Sequence, residues 1–93
     1  MVQPRNGEAA LQPRITQAVI TCPGVTALKG KGVVVQWKDD GCHIDLHIQA
    51  SYGIPLRPLG QQLQQVVAHE VKRYEEHMHV TVHVTIEDIR IPD

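Results

Sequence analysis

Apolar residues along this 93-residue chain recur with two different periods, and the switches between them divide it into five segments. Leu11, Ile15, Val19 and Cys22 stand three to four residues apart, the spacing that gathers side chains on one face of a helix. Pro13 fits either a kink in a helix that begins near Glu8 or the first turn of one that begins at Gln12, and Pro23-Gly24 stops it. After a connector carrying Val25 and Leu28, the period drops to two. Between Gly32 and Lys38, Val33, Val35 and Trp37 alternate with Val34, Gln36 and Lys38, and Asp40-Gly41 marks a hairpin turn. Pairing Lys38 with His43 sets Trp37 against Ile44, Val35 against Leu46 and Val33 against Ile48 on one face. Gln36 then meets Asp45 and Val34 meets His47 on the other. A slip of one residue would put the whole apolar set into water.

Ser51-Tyr52-Gly53-Ile54-Pro55 closes the second strand, and Pro58 stands where a first-turn proline is tolerated. Leu59, Leu63, Val66, Val67, Val71 and Tyr74 follow at helical spacing. A helix running to about Glu76 would be roughly 28 Å long at 1.5 Å per residue, with Gln61, Gln62, Gln64, Gln65, Lys72, Arg73 and Glu75 on its wet side. Val80, Val82, Val84 and Ile86 then alternate with Thr81, His83, Thr85 and Glu87 in a third strand. Ile89 and Ile91 break the phase, which predicts a bulge near Asp88 or an end to pairing there. The order predicts a two-layer α+β fold, helix-strand-strand-helix-strand, with a three-stranded sheet, both helices on one face and a right-handed crossover. Residues 1–10 are expected to form a flexible arm and residues 11–93 a single domain.

Composition narrows the function. A hydrophobic fraction of 42% with 20% charged residues is ordinary for a globular chain, and no apolar run approaches the ~20 residues that span a bilayer. No signal-like stretch follows Arg5, so a cytoplasmic location is expected. A net charge of -1 argues against a protein that neutralises nucleic-acid phosphates. Cys22 and Cys42, twenty positions apart and without a paired spacing, read as free thiols. The skew lies elsewhere: no Phe, one Trp, six His.

Several pieces of the chain, in order from Ile15 to Ile89, resemble the alkaline-shock-protein or envelope stress response family. Cys22-Pro23-Gly24-Val25 with Leu28 is similar to the family's helix-ending segment. Ile44-Asp45-Leu46-His47-Ile48 resembles its central alternating strand and Tyr52-Gly53 the junction after it. Leu59, Leu63, Gln64, Val67 and Val71 resemble its long helix, and Val80-Thr81-Val82-His83-Val84 its closing strand. Glu76-His77-Met78, Pro55, Pro58 and the short termini depart from the pattern. The resemblance implies a bacterial cytoplasmic protein linked to cell-envelope stress, in some members recruited to the membrane by a separate anchor protein. It supplies no active site and no cofactor.

The candidate chemistry is one histidine-rich surface. His43, Asp45 and His47 alternate on the outer face of the second strand, and His79 and His83 share a face on the third, with His77 just before it. Strand neighbours two apart lie about 6.5–7 Å from each other and adjacent strands about 4.8 Å, so a zinc-type site over His43, Asp45, His47, His79 and His83 requires the two strands to be adjacent. A solvated sheet face and a pH-sensing face are the competing readings. Lys29-Gly30-Lys31-Gly32 reads as a flexible connector, since it lacks the Gly-x-x-Gly clamp of a KH-like RNA-binding module, and the sparse aromatics give no base-stacking platform. Ser51, Cys22, Cys42 and the stripe-edge Glu70 assemble no nucleophile, base and oxyanion donor. The chain is therefore expected to be a non-catalytic interaction or scaffold protein that binds a protein partner or itself. Metal binding is the alternative, and a KH-like RNA-binding module a more distant one.

Overall fold

The computed structural model describes residues 10–92. The arm expected over residues 1–10 and the alternative helix start near Glu8 fall outside them, apart from Ala10, the N-terminal cap of the first helix. Helix α1 spans Leu11–Ile20, so Pro13 lies in its first turn, where a missing N–H breaks no helical bond. Its last turn is closed by Thr21, whose hydroxyl donates to the Gln17 carbonyl at 2.8 Å. Strands β1 (Val25–Lys38) and β2 (Gly41–Ser51), helix α2 (Leu56–Tyr74) and strand β3 (His79–Arg90) complete the expected order. Helix α2 stops two residues short of Glu76. Glu75 is already extended, and Tyr74, expected on the core side, is exposed.

The sheet order is β1-β2-β3, with β1 antiparallel and β3 parallel to the central strand. Both helices lie on one face. Leu11, Ile15 and Val19 of α1 and Leu59, Leu63, Val67 and Val71 of α2 are buried with Val33, Cys42, Ile44, Leu46, Ile48 and Ala50. Trp37, Val80, Val82, Val84, Ile86 and Ile89 are half-buried around that core. Met78 is buried too, so the segment Glu76-His77-Met78 is tied to the core by its last residue.

The hairpin keeps the expected faces in a different register. Lys38 pairs with Gly41, Val35 with Ile44 and Val33 with Leu46, each two residues from the sequence-based pairing, and the turn is Asp39-Asp40. A shift of two returns every side chain to its own face, so alternation cannot distinguish the two registers. Cys42 consequently lies inside β2, buried, and not in the turn.

The connector is also corrected. Pairing of β1 with β2 begins at Val25, and residues 29–32 form a bulge within β1, between the Leu28 and Val33 pairs. Gly30 and Gly32, at φ 51° and 67°, supply the left-handed conformations that the excursion needs. In β3 the sequence break is resolved as a bulge: Ile48 pairs with Ile86 and Gln49 with Asp88, after which Ile89 turns back to the core.

A polar chain crosses all three strands at this level. The Thr26 hydroxyl donates to Gln49 Oε1 at 2.9 Å, and Gln49 Nε2 donates to Asp88 Oδ2 at 2.9 Å. The bond from Gln49, aided by the Ile89 N–H, holds the Asp88 carboxyl below the usual carboxylate range. A carboxyl depressed on folding contributes stability above its unfolded pKa and loses it as pH falls through the folded value. Asp88→Asn is therefore expected to flatten the acid limb of a thermal-stability profile below about pH 4 and leave the profile between pH 6 and 8 parallel to that of the native chain.

Candidate functional site

The sheet face opposite the helices carries the histidines, because alternation that sends Ile44, Leu46 and Ile48 inward sends His43, Asp45 and His47 outward. On β3, Val80, Val82 and Val84 turn inward while His79, Thr81 and His83 are exposed. Since β3 lies beside β2, Asp45 pairs with His83 and His43 with Thr81, and the His43 and His83 rings stack with centroids 4.9 Å apart. His43 Nε2 lies 3.6 Å from Asp45 Oδ1. His47 Nδ1 lies 2.6 Å from Glu87 Oε2, and Gly30 stands close enough that a Cβ there would approach that carboxylate oxygen to 2.7 Å. The β1 bulge thus reaches over the outer face and, with Asp45, His47 and Glu87, borders a cleft of about 540 Å³.

The arrangement brings some of the candidate ligands together and separates others. His43, Asp45 and His83 form one cluster, and His47 belongs to a second with Glu87. His79 lies opposite Gly41 at the start of β3, four residues from His83 along the strand. Among the described residues, no group of three or more His, Cys, Asp or Glu side chains is placed to hold a metal ion. Sequence reasoning missed Glu87 as the partner of His47. Its outward phase on the third strand was the available signal, but the strand-to-strand register was not.

The remaining reactive groups are removed from this face. Burial pushes the Cys22 thiol above its ordinary pKa, which suppresses the nucleophilic thiolate. Cys22 in the folded chain is expected to react with iodoacetamide at pH 8 at least about tenfold more slowly than in urea, as read by mass spectrometry. Glu70, at the edge of the α2 stripe, lies 3.5 Å from Arg73. No helix among the described residues is long and apolar enough to cross a membrane.

A family model described as the alkaline shock protein 23 family, with a cell envelope-related function, matches residues 6–91. Among curated proteins none matches the chain. Solved structures that resemble it include the MamM CTD in a copper form, at 20% identity and TM-score 0.59, covering 91% of this chain and 89% of that one. A zinc form of a substituted MamM CTD has 19% identity, TM-score 0.59 and the same coverage. The MamM CTD bounded as 215-293 has 18% identity and TM-score 0.57, covering 86% of this chain and 96% of that one. At these identities the likeness shows the fold.

Proposed function

The chain belongs to the alkaline shock protein 23 family, and on that premise we propose that it is a non-catalytic interaction protein whose binding surface is the outer face of the sheet. The observation that supports this reading is that both helices lie on the other face. The outer face is left with an ordered set of polar side chains: the stacked His43 and His83, the Asp45 beside them and the His47–Glu87 contact. The family's description, a cell envelope-related function, supports a search for the partner among envelope proteins. Val34→Glu and Asp45→Lys alter this face on β1 and β2 without entering the core. Both variants should stay folded by circular dichroism and lose the proteins that the native chain retains from an envelope-containing extract. Unchanged recovery by both variants overturns the proposal.

A second reading, zinc-type metal binding, is favoured by the meeting of His43 and His83 on adjacent strands beside Asp45, and by the copper and zinc forms of the similarly folded MamM CTD. Titration of the chain with zinc should then give heat beyond dilution that His43→Ala removes. An absence of heat ends this reading and leaves the first intact.

A further inference from the structure

We infer that the edge of β3 to which no strand pairs among the described residues pairs antiparallel with β3 of a second copy of this chain, about a two-fold axis at His83, joining two three-stranded sheets into one of six strands. This goes beyond the outer-face reading and concerns the backbone edge of the sheet, at which the side chains of His83 and Glu87 border that face.

The direction of the backbone groups is fixed at three points. The His79 N–H donates to the Asp40 carbonyl at 3.1 Å, and the Arg90 carbonyl accepts from Tyr52 N–H at 2.9 Å. Both partners flank β2. On the other side, Gln64 Nε2 of α2 reaches the Val82 carbonyl at 3.1 Å. Backbone groups of successive strand residues point to opposite edges, so before the bulge the odd positions serve β2. Val80, Val82, Val84 and Ile86 direct their N–H and C=O groups to the open edge.

The two sheet edges differ in how they are protected. Each edge strand has one carbonyl met by a helix glutamine, Val33 by Gln12 and Val82 by Gln64, but only β1 is interrupted, by the bulge at residues 29–32 with Lys29 and Lys31. Such bulges and lysines are the usual devices against edge pairing. Strand β3 has neither lysine nor proline, and from His79 to Ile86 it is regular and almost wholly β-branched. Its bulge and its charges, Glu87, Asp88 and Arg90, come only at the end.

Pairing about His83 satisfies both requirements of an antiparallel ladder. Val82 faces Val84 of the second copy and Val80 faces Ile86, so the open-edge groups exchange hydrogen bonds in four residue pairs. On the outer face Thr81 meets Thr85, and His79 meets Glu87 twice, a cross-strand imidazole and carboxylate on each side of the axis. Gln64 can keep its bond, because the Val82 carbonyl has a second lone pair. The neighbouring groove between α2 and β3 is lined by Gln61, Gln64, Gln65 and Ala68, uncharged groups that offer no repulsion to their own copy.

The test is sedimentation equilibrium of the purified full chain with register-specific oxidation. A monomer–dimer equilibrium is expected. The His83→Cys variant should form an oxidised dimer, since residues facing each other at a non-hydrogen-bonded position have Cα atoms about 4.5 Å apart, within disulfide reach. Thr81→Cys should link to Thr85→Cys in a mixture and not to itself. His79→Glu should weaken the dimer by about tenfold, and His79→Glu/Glu87→Lys should restore it. A strict monomer at high concentration overturns the inference, as does a dimer whose His83→Cys form fails to link or whose affinity ignores position 79. Because no other protein is present, these outcomes are independent of the outer-face proposal.

Discussion

Gly41→Ala is expected to destabilise the domain by about 3 kcal/mol or more. A Cβ at this position would lie 1.9 Å from the His79 carbonyl oxygen and 2.7 Å from its carbon, both backbone atoms that no rotamer change can move. Relief requires the start of β3 to retreat from β2, and the His79 N–H to Asp40 bond goes with it. Gly60, in α2, is the matched control, because a Cβ there meets nothing within 4 Å. Gly60→Ala should stabilise by about 0.5–1 kcal/mol through helix propensity alone. Urea denaturation followed by circular dichroism reads both as opposite shifts of the midpoint. A Gly41→Ala midpoint within error of the native chain would contradict the close approach of the two strands.

Leu46→Ala should remove about 2–5 kcal/mol. Leu46 is fully buried at the middle of the central strand, opposite Val33 on one side and Val84 on the other. Neighbouring strands on both sides and helices above leave little room for collapse into the vacated volume. For a domain of this size the loss corresponds to a fall in Tm of roughly 10 °C or more. A shift smaller than a few degrees would mean that the core around Leu46 is loosely filled.

The faces of the hairpin were legible in the sequence, whereas its register was not. Ile44, Leu46 and Ile48 declare an inward face by period alone, and Cys42 belongs to the same phase. The choice between pairing Lys38 with His43 and with Gly41 depends on the turn and on what lies beyond it. Asp40-Gly41 looks like a hairpin signal, but the glycine is required by β3, which approaches from another part of the chain. The bulge at residues 29–32 has no periodicity to reveal it, since its pattern is that of a loop even while its flanks are paired. The histidine face was half legible: alternation placed His43, Asp45, His47 and His83 outward. Which of them meet depends on strand order, and that order, β1-β2-β3, leaves no mark in the periodicity of any one strand. Met78 gave no periodic sign because it precedes the strand.

The two neighbours of β2 reach it by different routes. Strand β1 comes by a two-residue turn, whereas β3 comes only after the nineteen residues of α2 and the segment that follows. Loop-closure entropy therefore favours the hairpin early and delays the parallel pairing. During synthesis the central strand keeps one row of backbone groups unmatched until β3 leaves the ribosome. For that interval the nascent domain presents an open β2 edge with the sequence Ile44-Asp45-Leu46-His47-Ile48, to which any extended segment can add. The polar side chains Asp45 and His47 that interrupt that sequence lie on its outer face in the finished chain and break its apolar run in the unfinished one.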